Sequence, residues 1–265
     1  MHVKLPLAAI QILCRMGLLL ALLAAGAGVA WAGMPETIDR IKPSIVAVGT
    51  FQKTRNPPFS FRGTGFVVGD GTLIATNAHV LPDTLQTETL ESIMVITAAV
   101  EGRGQHPREA KIVAIDRQHD LALLRVSGAA LPALRLGNPA EVREGQTLAF
   151  TGFPIGGVLG LFPVTHRGMV ASITPIALPS ATAQHLDERL IRRLQTGAFP
   201  VFQLDATAYP GNSGSPLYDI ETGAVMGIIN LVFVKATKES ALSHPSGISF
   251  AVPVQFLQDM LRTAN

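Results

Sequence analysis

Cysteine and tryptophan are nearly absent from this sequence, which has one of each among its 265 residues, Cys14 and Trp31. Because Cys14 lies near the N-terminus, residues 33–265 contain no thiol, so neither a disulfide nor a cysteine-ligated metal site is possible there. Aromatic residues are also scarce at 6%, whereas the 25 glycines and 18 prolines are typical of a chain with many turns. These proportions favour short β-strands joined by tight turns.

The sequence also lacks any run of like charges. Its 21 lysines and arginines nearly balance its 19 aspartates and glutamates, for a formal net charge of +2. Without a basic arm or an acidic tail, no nucleic-acid partner is expected. Hydrophobic residues make up 48%, which is enough for a sizeable core and argues against intrinsic disorder.

The first 32 residues have the pattern of an export signal. Lys4 and Arg15 precede an uncharged apolar stretch, Met16–Val29, and a small-x-small triplet ends at Ala32. This pattern predicts a signal peptide over residues 1–32 that is cleaved after Ala32, and no membrane association afterwards. The alternative is an uncleaved membrane anchor, because Met16–Met34 is uncharged and close to the ~20 residues that a spanning helix needs.

After residue 43 the chain is a series of short β-branched or aliphatic runs separated by turn signals such as Gly69-Asp70-Gly71. Two clusters of such runs predict two β-barrels or sandwiches that join near residues 137–145. The runs are Ser44–Thr50, Gly65–Val68, Thr72–Thr76, Ser92–Ala98, Ala110–Ile115, Leu121–Val126 and Thr147–Phe150, then Pro163–Ile173, Val201–Leu204, Ser215–Leu217, Ala224–Val234 and Ile248–Val252.

Three segments have helical spacing instead. Pro35–Lys42 predicts a short amphipathic helix, and Phe256, Leu257, Met260 and Leu261 form one apolar face of a closing helix over about residues 254–263. Leu186–Leu194 predicts a further short helix, either a plain helix on a long loop or a contact for substrate or a partner.

One turn has the composition that acyl-transfer chemistry needs. The segment Asp205–Pro216 reads DATAYPGNSGSP, and its small neighbours expose the Ser213 hydroxyl and let successive N–H groups converge. A turn of this kind is often a plain loop, so a base must also be found. His79 ends the hydrophobic strand LIATNAHVL, and Asp120 opens the strand HDLALLRV. Together the three predict a Ser-His-Asp triad in the chain order of chymotrypsin-type proteases.

These segments resemble the trypsin-like serine proteases, particularly the bacterial HtrA/Deg branch of exported proteases. The matching motifs run through both presumed barrels in family order: GTGFVVGDGTLIATNAHV (63–80), HDLALLRV (119–126), GFPIG (152–156), GNSGSPL (211–217) and GISFAVP (247–253). The resemblance implies an all-β fold of two six-stranded antiparallel barrels, over about residues 43–140 and 141–255, within a protease domain of residues 33–265. A short N-terminal helix and a C-terminal helix would flank the barrels.

The resemblance also implies roles for individual residues. His79 would be the general base and acid, Asp120 its orienting partner, and Ser213 the nucleophile. The N–H groups of Gly211 and Ser213 would form the oxyanion hole, with Asn212 shaping the turn. No metal or organic cofactor would be required.

Substrate selection is implied in part. Thr207, six residues before the nucleophile, stands where this family has the base of the S1 pocket, so cleavage after Lys or Arg is not expected. The strand Ile228, Ile229, Asn230, Leu231 and Val232 would line the pocket and pair with the substrate backbone. Its apolar character predicts small or aliphatic P1 residues.

The sequence departs from the family pattern in two ways. Ser215 stands where the family usually has glycine, and the stretch 175–200 is longer than the usual connection before the nucleophile. No PDZ domain is expected after the protease domain, so regulation and assembly through PDZ contacts are not inferred.

The remaining histidines are expected at the surface. His106, His119, His185 and His244 lie next to turn-type residues or at a strand start, while His166 lies near the strands of the second barrel. No pair has ligand spacing with a carboxylate nearby, so no metal site is expected.

The function expected from these observations is that of an exported serine endopeptidase that acts on unfolded or misfolded polypeptides in a bacterial periplasm or outside the cell. Two alternatives stay open: a non-hydrolytic polypeptide-binding protein with a latent triad, and an esterase that uses the same triad. The oligomeric state cannot be inferred from the sequence.

Overall fold

A computed structural model describes residues 33–85, 90–97, 106–156, 160–175, 199–230 and 247–264. The predicted signal peptide (1–32), the predicted helix 186–194, the histidines at 185 and 244, and the residues at 231 and 232 lie outside these ranges. Within the described ranges, no helix combines the length and apolar character that crossing a bilayer requires.

Barrel 1 is a closed antiparallel barrel of six strands, in the order β1-β2-β3-β6-β5-β4. The short helix α1 (Met34–Ile41) precedes it. Its strands are β1 (Ile45–Phe51), β2 (Phe59–Val68), β3 (Leu73–Asn77), β4 (Ser92–Thr97), β5 (Pro107–Asp116) and β6 (Leu121–Val126).

Barrel 2 is also closed and repeats the strand order of barrel 1, as β7-β8-β9-β12-β11-β10. The helix α2 (Gln255–Ala264) follows it. Its strands are β7 (Thr147–Gly152), β8 (Val164–Pro175), β9 (Pro200–Asp205), β10 (Pro216–Asp219), β11 (Val225–Asn230) and β12 (Ile248–Pro253). The prediction of two six-stranded antiparallel barrels with a short helix at each end is confirmed.

Apolar side chains fill each barrel and the space between the barrels. Alternate residues of each strand point to the same side of the sheet, so every strand can place one set of side chains inside its barrel. Val67 and Ile74 belong to the apolar cluster of barrel 1, and Leu148 and Leu204 belong to that of barrel 2. A third cluster takes residues from both barrels, including Phe66, Leu123, Tyr218 and Val252. At about 2 kcal/mol for each large side chain that is buried, this shared cluster holds the barrels together.

The turn between β5 and β6 is anchored by aromatic packing, which corrects the prediction of a solvated His119. The His119 ring stacks on Phe256 of α2 with ring centroids 3.8 Å apart, and Phe199 meets it edge-on. Its Nδ1 is 2.6 Å from Asp116 Oδ2. Because Asp120 is the next residue, this packing holds the backbone that carries it.

Candidate active site

His79 and Asp120 form a direct pair at the end of barrel 1. His79 lies in the 3₁₀ turn Ala78–Val80 that ends β3, and its Nδ1 is 2.5 Å from Asp120 Oδ2. The His79 backbone N–H also donates to Asp120 Oδ1 at 2.9 Å. The tautomer that can donate to this carboxylate has its proton on Nδ1, and it leaves Nε2 as the acceptor of the ring.

The backbone of Asp120 is held in a conformation that aims its side chain at His79. Its φ of +56° lies in the left-handed region, which costs free energy for a residue with a Cβ. Two hydrogen bonds to its carbonyl oxygen offset that cost, one from Ala78 N–H and one from Asn77 Nδ2, both at 3.0 Å.

The side chain of Asn230, a residue predicted to bind substrate, contacts Asp120. It is fully buried at the end of β11, and its Nδ2 donates to Asp120 Oδ2 at 2.8 Å. Asp120 Oδ2 therefore accepts two hydrogen bonds, one from each barrel. This contact fixes the second carboxylate oxygen and ties barrel 2 to the His79–Asp120 pair.

The turn that carries Ser213 has three of its N–H groups in structural hydrogen bonds. Those of Asn212, Gly214 and Ser215 donate to Tyr209 O, Ile229 O and Asn212 O, at 2.9, 2.9 and 3.0 Å. Among the described residues, no hydrogen bond uses the N–H of Gly211 or of Ser213. These two are the N–H groups predicted for the oxyanion hole, whereas the Asn212 N–H is already bonded within the turn.

Two glycines make this turn possible. Gly211 has a φ of +102° and Gly214 a φ of +86°, both in the region that favours glycine. A Cβ at position 214 would lie 2.0 Å from the Thr64 carbonyl oxygen, and one at position 211 would lie 2.3 Å from the Phe153 carbonyl oxygen. Only glycine lets the nucleophile turn approach the neighbouring backbone this closely.

Strand β2 brings the nucleophile turn close to the His79 turn. A Cβ on Gly63 would lie 2.7 Å from the Val80 side chain on one side and 3.0 Å from Ser213 O on the other. The Ser213 carbonyl accepts the Thr64 N–H at 2.9 Å. The Ser213 residue is 6% exposed, and the His79 side chain is 32% exposed. The structure thus gathers the three residues predicted for the triad around the middle of β2, at Gly63 and Thr64.

The residues predicted to contact substrate fall into two groups. Thr207 is half-buried in the segment between β9 and the nucleophile turn. Ile228 and Ile229 are fully buried in β11, and the backbone N–H and C=O of Ile229 are bonded to Ser215 O and Gly214 N. Ile229 therefore has no backbone group left for an incoming peptide, because β11 is already paired on both sides.

Ser215 faces the interior of the protein. It is fully buried, and its Oγ would lie 2.0 Å from a Cβ placed on Gly152. The serine that stands in place of the usual glycine is therefore accommodated by a second glycine opposite it. This position does not open towards a substrate pocket.

The other described histidines do not form a metal site. His106 is exposed, as expected, and His119 is stacked as described above. Within the described ranges, no three His, Cys, Asp or Glu side chains lie close enough together to hold a metal ion.

His166 is enclosed by aromatic rings of barrel 2. Its ring stacks on Phe150 at 5.0 Å and lies 6.1 Å from the Tyr209 ring. Its Nε2 is buried and has no hydrogen-bond partner among the described residues. Burial lowers the pKa of His166, because desolvation disfavours the charged imidazolium.

This lowered pKa predicts a loss of stability in acid. Below the ordinary histidine pKa of about 6.5, the unfolded chain binds a proton at this position that the folded chain does not. The free energy of unfolding therefore falls as the pH drops through that value. In chemical denaturation at pH 8 and pH 5.5, His166→Phe, which still stacks on Phe150 but cannot titrate, should lose less stability than the wild type. Each protein's free energy of unfolding at pH 8 is its own reference. Equal losses of stability between pH 8 and pH 5.5 in the two proteins would contradict the prediction.

Comparison with known proteins supports the class of site that this geometry defines. The family model of the trypsin-like peptidase domain matches residues 63–228, which contain His79, Asp120 and Ser213. The chain belongs to this family.

The chain is also similar to serine proteases from a bacterium and an animal. It is 29% identical over 199 residues, 75% of its length, to a probable periplasmic DegP-like serine endoprotease of Halomonas elongata. It is also 29% identical over 233 residues, 85% of its length, to serine protease HTR4 of Bos taurus. The alignments cover 34% and 40% of these two relatives, so the chain matches only part of each.

A solved structure shares the fold. The HtrA-type protease AlgW with a tripeptide superposes with a TM-score of 0.61 at 24% identity, covering 88% of this chain and 63% of that one. The predicted resemblance to trypsin-like proteases of the HtrA/Deg branch is confirmed.

Proposed function

We propose that the chain is a serine endopeptidase that hydrolyses peptide bonds through an acyl-enzyme on Ser213. The observation that carries the proposal is the arrangement of donors and acceptors beside Gly63 and Thr64 of β2. His79 Nδ1 is committed to Asp120, which leaves Nε2 as a base, and the nucleophile turn keeps two N–H groups out of its own hydrogen bonds.

The reaction follows from these groups. His79 Nε2 takes the Ser213 hydroxyl proton as Oγ bonds to the scissile carbonyl carbon, and the N–H groups of Gly211 and Ser213 bind the developing oxyanion. The C–N bond breaks as His79 returns the proton to the leaving amine. Water, deprotonated by His79, then attacks the ester, and Ser213 recovers its proton when it leaves.

The finer parts of the proposal concern substrate and location. We infer unfolded or misfolded polypeptides as substrates, with small or aliphatic P1 residues, because Thr207 offers no negative charge to a lysine or arginine. Export to a periplasm or beyond it, with the signal peptide at residues 1–32 removed, is supported by the N-terminal pattern and by the similarity to the probable periplasmic endoprotease of Halomonas elongata.

The experiment combines a serine-directed fluorophosphonate probe with three substrates. Residues 33–265 are incubated with the probe, and the labelled residue is located by mass spectrometry. Ser215→Ala, which removes the other serine hydroxyl of the turn, is the matched control. We expect the label on Ser213 in both proteins, because Ser215 faces Gly152 and not the solvent.

The same proteins are given reduced casein, a p-nitrophenyl ester and a peptide library. Cleavage of casein together with labelling of Ser213 supports an endopeptidase. Turnover of the ester alone would replace the proposal with an esterase, and binding of casein without turnover or labelling would replace it with a polypeptide-binding protein. Cleavage mainly after Lys or Arg would overturn the inferred P1 preference.

A further inference from the structure

Thr64 of barrel 1 makes four hydrogen bonds around the nucleophile turn of barrel 2. It is fully buried in β2. Its Oγ1 donates to Gly211 O at 2.7 Å and accepts the Phe153 N–H at 3.0 Å. Its backbone N–H donates to Ser213 O at 2.9 Å, and its own carbonyl accepts the Thr76 hydroxyl at 2.7 Å.

Two hydrogen bonds, one from Thr64 and one from Ile155, hold the peptide groups on both sides of Gly211. The Thr64 hydroxyl holds the carbonyl of the Gly211–Asn212 peptide, and the Ile155 N–H holds the carbonyl of the Pro210–Gly211 peptide at 2.8 Å. The second of these peptides contains the Gly211 N–H, which is a proposed donor to the oxyanion. Because a peptide group is planar, fixing the carbonyls on both sides of Gly211 also fixes the orientation of the Gly211 N–H.

Glycine makes such restraints necessary. A residue without a Cβ loses more conformational freedom on ordering than any other, and the Gly211 peptide has no neighbour in a regular strand to hold it. The Thr64 hydroxyl is donor and acceptor at once, so it joins the Gly211 carbonyl to the Phe153 N–H. Valine has the same shape but neither capacity.

We propose that Thr64 is a positioning residue for the oxyanion hole: its hydroxyl orients the Gly211 peptide across the boundary between the two barrels. The proposal rests on the proposed function, because it assigns Thr64 a part in stabilising the transition state. It predicts that loss of the hydroxyl affects kcat and leaves KM unchanged, since the oxyanion is absent from bound substrate and forms on the way to the tetrahedral intermediate.

The test compares Thr64→Val with Thr64→Ser and with Thr151→Val. Thr64→Ser keeps the hydroxyl and loses a methyl group. Thr151 is an equally buried threonine of β7 whose hydroxyl bonds Thr165 and Tyr218, away from the nucleophile turn. Thr151→Val therefore removes a buried threonine hydroxyl, as Thr64→Val does, and is its matched control.

Thr64→Val should lower kcat about 10- to 100-fold with KM within twofold, somewhat less than the loss of a whole oxyanion donor. Affinity for a peptide boronate, whose tetrahedral adduct places an oxygen in the hole, should fall in proportion. Thr64→Ser should stay within about threefold of wild type on both measures, because its hydroxyl can make the same bonds. Thr151→Val should keep its kcat. An unchanged kcat in Thr64→Val, or the same loss in Thr64→Ser or Thr151→Val, would overturn the proposal.

A second measurement does not depend on turnover. Hydrogen–deuterium exchange of a peptide spanning residues 208–214 should be faster in Thr64→Val than in Thr64→Ser, Thr151→Val and wild type. If the wild type is not labelled by the fluorophosphonate and does not hydrolyse casein, the proposed function fails. Hydrogen–deuterium exchange still tests whether Thr64 restrains the nucleophile turn. Unaltered exchange in Thr64→Val would refute the inference whatever the activity.

Discussion

Ser213→Ala should lower kcat/KM for casein roughly a millionfold, the scale on which loss of the nucleophile acts in other triad enzymes. Without the Oγ no acyl-enzyme forms, and the remaining groups can only bind the substrate and polarise its carbonyl. The fold should survive, because the bonds that hold this turn are made by the backbone of Ser213 and its neighbours and by Thr64.

The measurement is the initial rate of casein cleavage at high enzyme concentration, with Ser215→Ala beside it. Ser215→Ala should stay within about tenfold of wild type, because only its hydroxyl is removed and that hydroxyl has no partner among the described residues. A residual rate above one-hundredth of wild type in Ser213→Ala would mean that another group is the nucleophile.

Asp120→Asn should lower kcat about ten-thousandfold, as the equivalent change does in a well-studied protease. The Asp120 carboxylate accepts three hydrogen bonds, two on Oδ2 and one on Oδ1. An amide replaces one acceptor oxygen with a donor. If the NH₂ faces His79 Nδ1, the ring must place its proton on Nε2, where it can no longer take the Ser213 proton. If it faces the backbone N–H, two donors oppose each other.

The matched control is Asp116→Asn, which disturbs the second histidine–aspartate pair of the same turn. That pair has a similar Nδ1 to Oδ2 distance, 2.6 Å, but belongs to His119. We expect Asp116→Asn to lower thermal stability and to keep kcat within about tenfold. If both variants lose activity equally, the effect of Asp120 is on the turn and not on His79.

Most of the architecture could be predicted because each strand carries its own signal. All twelve predicted runs correspond to strands, since short β-branched segments between turn residues are a local pattern. The start of β2 at Phe59 was missed, because the glycines at 63 and 65 are usual turn residues. In the folded chain the glycine at 63 serves close approach to Val80 and Ser213 instead.

Contacts between distant segments could not be predicted in the same way. Thr64 and Gly211 are 147 positions apart, and Asn230 and Asp120 are 110 apart. Thr64 lies between two glycines and Asn230 follows two isoleucines. Neither local sequence predicts a contact with a residue so far along the chain. His119 was misplaced for the same reason, because the ring that it stacks on belongs to α2. The sequence therefore predicts which residues are candidates for catalysis, and the tertiary structure is needed to identify the residues that contact and hold them.

The strand order of the two barrels has a consequence for how the chain folds. Each barrel is closed by pairs that are distant in sequence, β3 with β6 and β1 with β4 in barrel 1, and β9 with β12 and β7 with β10 in barrel 2. Such pairings form slowly, because the entropy of closing the intervening chain is lost before the contacts are gained. His79 and Asp120 belong to barrel 1, and Ser213 and Asn230 to barrel 2, so the site is complete only after both barrels have closed. A chain that is still folding is itself an unfolded polypeptide, which is the proposed class of substrate. Such a chain is therefore exposed as a substrate before its own catalytic site is complete.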